Sequence, residues 1–338
     1  MVRKRITLAL QGGGSHGAYT WGVLDRLLEE DDLEIEGISG ASAGAMNAAV
    51  LAHGLAVGGR EGARQALNAF WQGVSRGDVD GAVDGAAAAT IQAPPAAAQA
   101  YLLLSRFFSP YQLNPLNVNP LRDLLAEQID FERLRASSIK LFIATTRASS
   151  ATLRVFTTRE LTLDVLLASA CLPSIHRGVE IEGEAYWDGA LVANPPLGPL
   201  VQECAARDMV MVVVNPERDS VPSTPEGISQ RLTEISFNAA FAAELGAIER
   251  AKQEAARALL PLGRLDRRLR QLNLHTIDSG RYMAELDVHS RFNTDAAFIA
   301  ALRDEGRRCA DSWCRGLAHS SPRGSTPWLP VFGPEAQG

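Results

Sequence analysis

Residues 5–44 read RITLALQGGGSHGAYTWGVLDRLLEEDDLEIEGISGASAG, and this stretch decides the fold. Residues 5–11 form a short apolar run that stops at Gly12, Gly13 and Gly14, the pattern of a buried strand. Ala18, Trp21, Leu24, Leu27 and Leu28 then recur at helical spacing. Residues 33–38 form a second strand, and residues 43–51 a helix of small residues. A strand–helix–strand unit of this length makes a right-handed crossover between parallel strands. Both strands then end at one edge of the sheet, which brings the glycine loop beside Ser42.

Ser42 is the centre of Gly40-Ala41-Ser42-Ala43-Gly44. The flanking Gly40 and Gly44 let the backbone turn sharply from strand to helix. The hydroxyl projects near the N-terminus of the next helix, whose dipole favours developing negative charge. Attack by a serine on an ester creates an oxyanion, and the upstream loop offers backbone amides to hold it. The same loop, Gly12-x-Gly14-x-x-Gly17, also matches a dinucleotide fingerprint. That reading requires an acidic residue at the end of the second strand. Glu34 and Glu36 lie near the right distance, but Ile38-Ser39-Gly40 and the elbow occupy the strand end. No nucleotide, organic cofactor or metal is therefore expected.

The remaining composition narrows the class. The 338 residues are 46% hydrophobic and 21% charged, with a net charge of −6. An acidic balance argues against a sequence-independent nucleic-acid surface and against strong attraction to anionic membranes. Four cysteines (Cys171, Cys204, Cys309 and Cys314) show no zinc spacing and are too few for a disulfide scaffold. The basic start, Met1 to Arg5, is followed by too short an apolar run for a signal peptide. No stretch is long and apolar enough to span a bilayer. A cytoplasmic location is expected, with peripheral contact at a membrane left open.

Strand and helix signals alternate along the chain. Residues 61–74 read as a helix, 139–145 and 151–156 as paired strands, and 161–170 as a helix. The run MVMVVV at 209–214 is continuous and apolar, as in parallel strands covered on both faces. Residues 224–259 are helical, 272–277 a strand, and 294–313 a closing amphipathic helix. The expected architecture is α/β in three layers, a mainly parallel sheet flanked by helices. One domain is expected over 1–319, with core motifs in 5–215 and a helical extension over 224–319. From about Ser320 onward Pro, Gly and Ser dominate, and the 320–338 tail is expected to be loosely ordered. An apolar helical insert falls near 81–119, where 85–105 carries no charge and Pro94-Pro95 breaks any single helix. It reads either as buried core helices or as a flap that presents apolar surface to acyl chains.

A serine needs a proton acceptor. None of the six histidines sits in a strong local motif, whereas Tyr186-Trp187-Asp188-Gly189-Ala190 places a carboxylate where an apolar strand meets a loop. Partial desolvation there would raise its basicity, although Asp-Gly is also a routine turn dipeptide. In order, LALQGGGSHGAYTWGVLDRLL, GISGASAGAMNA and ASACLPSIHRGVEIEGEAYWDGALVANPPL resemble the patatin-like phospholipases, a family of lipid acyl hydrolases. SPYQLNPLNVNPLRDLL and RFNTDAAFIAALRDEGRRCADSW extend the likeness over most of the chain.

The resemblance implies a Ser42–Asp188 dyad that needs no histidine. It also implies an oxyanion hole in the glycine loop at Gly12, Gly13, Gly14 and Ser15, with His16, Gly17 and Gly189 in support. Lipid or acyl-ester substrates follow from it. The family usually carries Arg or Lys where this chain has His16. A histidine is partly charged near neutral pH, so its help with a lipid phosphate is expected to be weaker or pH-dependent. Leu51, Leu55 and the apolar region 81–113 are candidates for an acyl pocket. Two alternatives stay open: a Ser-His-Asp esterase or thioesterase on small soluble esters, with His275 or His289 as base, and a non-catalytic lipid-binding protein.

Overall fold

The computed structural model describes residues 4–76, 104–105, 107–215, 221–258, 263–286 and 288–319. Eight strands form one sheet. They are β1 (Lys4–Leu10), β2 (Leu33–Gly40), β3 (Lys140–Arg147), β4 (Thr152–Thr157), β5 (Val179–Ile181), β6 (Glu184–Asp188), β7 (Asp208–Val213) and β8 (Asn273–Asp278). Their spatial order is β5-β6-β3-β2-β1-β7-β8, with β4 folded back on β3. β3, β2, β1, β7 and β8 run parallel, whereas β4, β5 and β6 join by antiparallel pairing.

The sheet is covered on both faces, and the alternation of side chains shows why. Along β7 and just beyond it, Val210, Val212 and Val214 enter one core and Met209, Met211 and Val213 the other. The first core is closed by α1 (Gly17–Leu27), α2 (Ala43–Arg76) and a C-terminal helix, Ala296–His319. The second is closed by Gly198–Glu203, the long helix Pro225–Arg257 and Arg264–Gln271. Leu8 and Leu10 of β1 are fully buried in the first core, where truncation of either to alanine would cost about 2–5 kcal/mol. The three-layer α/β expectation therefore holds.

Element boundaries largely follow the apolar pattern, with informative exceptions. The two helices expected over 43–51 and 61–74 are two arms of α2, broken where Gly58 and Gly59 leave helical backbone values. The C-terminal helix runs beyond 313 to His319. Much of the insert near 81–119 and the whole of 320–338 lie outside the described residues. In the described part of the insert, Phe107 and Tyr111 are exposed rather than packed into the core.

Strand register brings the two ends that matter together. Gly40, the last residue of β2, pairs with Ile143 of β3. Two residues further along β3, Thr145 pairs with Asp188, the last residue of β6. Asp188 therefore stands about 7 Å, two strand residues, beyond the Gly40–Ile143 rung, and Ser42 follows two residues after Gly40 in the turn that leaves β2. On the other side of β2, Leu10 of β1 pairs with Gly40, which starts the glycine loop level with the elbow.

Candidate active site

Ser42 has φ 52°, a left-handed value that non-glycine residues rarely adopt. The strained turn is held from outside. The Ser42 N–H reaches the carbonyl and the hydroxyl oxygen of Ser169, both at 3.1 Å. Beneath it Ala41, Ala144 and Ala190 pack as a cluster of small side chains, so the elbow, β3 and the Asp188 turn approach closely. Ala43 then opens α2, whose N-terminus faces the site.

Asp188 is buried, and its backbone is pinned on both sides. Its N–H donates to Cys171 O at 2.8 Å and its carbonyl accepts from Thr146 Oγ1 at 2.7 Å. Oδ1 accepts from the Ala190 N–H at 2.8 Å, while Oδ2 is buried with no hydrogen bond of good geometry. Burial raises the Asp188 pKa to about 7; the Ala190 N–H and the Ser42 hydroxyl pull the other way. The carboxylate thus combines spare acceptor capacity with a proton affinity matched to neutral pH. Desolvation, with the nearby Asp188 charge adding to it, pushes the neighbouring Cys171 thiol up to about 12, which leaves it inert as a nucleophile.

The glycine loop closes the third side. A Cβ on Gly12 would stand 2.6 Å from both Ala41 O and Ser42 Cβ, so only glycine lets the loop sit on the elbow. Gly14 has φ 60°, and a Cβ there would collide with the Arg291 carbonyl oxygen. The Gly12 N–H is already committed, donating to Asn194 Oδ1 at 2.6 Å, which removes Gly12 as an oxyanion donor. The amides of Gly13, Gly14 and Ser15 have no acceptor among the described residues. Gly17 opens α1 and Gly189 follows Asp188 in the turn Gly189–Leu191.

These groups line one cavity of about 390 Å³, within the range of small-molecule sites. Gly12 to Ser15, Ser42 and Asp188 form its polar end, and Met46, Phe70, Trp71, Leu121, Leu124, Leu172 and Ile175 its apolar wall. The Trp71 N–H is satisfied by Asn47 Oδ1 at 3.0 Å, which leaves the indole ring to face the cavity. Leu51 and Leu55 do not line it; both pack with the first core. Leu51 lies five residues after Met46, about 140° round the helix, and Leu55 is opposite Met46. Of the region 81–113, residues 81–103 and 106 lie outside the described residues, and described Phe107, Phe108, Tyr111 and Leu113 do not line the cavity either.

The histidines divide clearly. His275 is buried and bonded to Asp208 Oδ1 at 2.7 Å. Asp208 is the first residue of β7, and so lies at the opposite edge of the parallel sheet from Ser42. His275 is thereby excluded as the base for Ser42. The side chain of His289 lies outside the described residues. His176 lines the cavity with its pKa lowered by burial. His16 does not line it. Its Nε2 is 2.8 Å from Ser290 Oγ, and burial with the nearby Arg291 charge lowers its pKa to about 3. The expectation of a partly charged His16 is corrected: desolvation keeps it neutral. Asn194, Ser169 and the aromatic wall had no local sequence signal that set them apart.

Residues 8–201, more than half of the chain, match the family model described as patatin-like phospholipase, and the chain belongs to that family. Membership implies lipid acyl hydrolase activity. Among solved structures, VipD from Legionella pneumophila is similar at 14% identity and a TM-score of 0.45, covering 94% of this chain and 67% of VipD. The ExoU–SpcU complex from the type III secretion system of Pseudomonas aeruginosa is similar at 16% identity and a TM-score of 0.32, covering 94% and 77%. No curated protein sequence matches the chain. Among the described residues, no helix is long and apolar enough to cross a membrane.

Proposed function

We propose that the chain is a serine hydrolase of lipid acyl esters that works through Ser42 and Asp188 and a covalent acyl-enzyme. The observation that carries the reading is that Ser42 and the buried Asp188 line one cavity together, beside the glycine loop and an apolar wall. Asp188 takes the hydroxyl proton as Ser42 Oγ attacks the acyl carbon. The Gly13 and Gly14 amides receive the oxyanion, and each such donor is worth about 100-fold to 1,000-fold in rate. The tetrahedral intermediate collapses, protonated Asp188 gives its proton to the departing alcohol oxygen, and the acyl group stays on Ser42. Asp188 then deprotonates a water that attacks the ester carbonyl, and the second collapse returns the proton to Ser42 Oγ and releases the fatty acid.

Burial of Asp188 supports its role, because a base with a pKa near 7 is partly ionised at neutral pH and takes a proton readily. The apolar wall supports acyl chains over small polar esters. The test is hydrolysis of a lipid panel by wild type and Ser42→Ala, read by mass spectrometry. Fatty acid release by wild type and its loss in Ser42→Ala is the expected result; equal release by both proteins refutes the proposal.

A further inference from the structure

Among the described residues, the cavity is lined by one carboxylate residue and one guanidinium residue, Asp188 and Arg291. Arg291 belongs to the 3-10 turn Val288–Phe292, which packs directly on the glycine loop. The join is close. Arg291 O occupies the space beside Gly14 that any Cβ would need, and Arg291 Cβ lies 3.6 Å from that same position. One residue earlier, Ser290 Oγ is tied to His16 Nε2 at 2.8 Å. Loop and turn therefore form one unit, in which neutral His16 anchors and Arg291 carries the positive charge. Phe292 and Thr294 continue the turn along the cavity wall.

The geometry points to Arg291 as the residue that selects an anionic lipid, by receiving a phosphate oxygen of the substrate beside the glycine loop. This rests on the hydrolase reading above. An ionised Asp188 repels an anionic substrate, and the apolar wall offers a phosphate nothing in return for its lost hydration. A guanidinium supplies paired N–H donors that match phosphate oxygens. In a cavity of reduced polarity its attraction is stronger than in water. Held at that end, the headgroup fixes where the acyl ester lies relative to Ser42.

The test pairs two substrates with identical acyl chains, dioleoyl phosphatidylglycerol and dioleoylglycerol, in mixed micelles with wild type, Arg291→Gln and Arg291→Lys. Arg291→Gln is expected to lower kcat/KM for the phospholipid, relative to the neutral lipid, by about tenfold or more, mainly through KM, with Arg291→Lys recovering part of the ratio. A second arm measures calorimetric binding of short-chain phosphatidylglycerol and its diacylglycerol counterpart to Ser42→Ala, with and without Arg291→Gln. The same shift in the ratio of Kd values is expected there. An equal effect on both lipids in both arms, or none, overturns the assignment. Failure of wild type to hydrolyse either lipid counts against the hydrolase reading alone, because the binding arm still decides the role of Arg291.

Discussion

Asn194 grips the Gly12 peptide from both sides: its Oδ1 accepts the Gly12 N–H at 2.6 Å and its Nδ2 donates to the Gly12 carbonyl at 3.3 Å. Asn194 stands six residues after Asp188 in the same segment, so one stretch of chain presents the carboxylate and fixes the glycine loop. Asn194→Ala would strand two buried backbone groups, at a cost of about 1–3 kcal/mol each. Release of the loop would lower kcat by about 10-fold to 100-fold with little change in KM. Urea denaturation and steady-state kinetics on one preparation check both effects.

The left-handed backbone at Ser42 predicts a trade between stability and activity. Ser42→Gly removes the Cβ that makes φ 52° unfavourable, so it should stabilise the fold by about 1 kcal/mol while abolishing turnover. Ser42→Ala keeps the strain and should gain nothing. Denaturation midpoints of the three proteins decide this, and equal midpoints for Gly and Ala would speak against stored strain.

Asp188 makes stability depend on pH with a defined sign. Its pKa is raised from 3.8 to about 7 in the native state. Between those values the unfolded chain holds an ionised carboxyl and the native chain a protonated one. Stability from this group is therefore complete below about pH 4 and is lost as pH rises to about 7. Asp188→Asn should be more stable than wild type at pH 8 by on the order of 2–4 kcal/mol, and show little difference near pH 4. Melts across that range provide the measurement. Turnover of wild type should fall on the acid side of about pH 7 as the base is protonated.

His16 moves in the opposite sense. Its native pKa is depressed from 6.5 to about 3, so its contribution is complete above 6.5 and is lost as pH falls from there toward 3. The imidazole should show no titration by nuclear magnetic resonance between pH 5 and 8, and catalysis should not carry a His16 ionisation in that range. A midpoint near 6.5 would contradict its buried contact with Ser290.

The first strand–helix–strand unit was legible because periodicity and glycine punctuation act locally. The same holds for MVMVVV, whose two-sided burial follows from unbroken apolar character. Asp188 stood out only as a carboxylate at a strand end; its place depends on the antiparallel join of β6 to β3, a long-range choice that no local pattern encodes. Leu51 and Leu55 misled because apolar character was read without helical phase, and the cavity takes Met46 instead. Phe70, Trp71, Leu121 and Leu124 meet only when the second arm of α2 and the helix Pro120–Gln128 pack together. The hydrogen bond that engages the Gly12 amide is equally tertiary, since its partner lies far along the chain.

The proposed mechanism requires Asp188 to activate Ser42. Its most direct test is reaction with a fluorophosphonate, with the adduct located by peptide mass spectrometry in wild type and Asp188→Asn. A single adduct on Ser42 is expected in wild type, formed at least about 100-fold more slowly in Asp188→Asn. Labelling of another serine, or equal rates at Ser42 in both proteins, would contradict it.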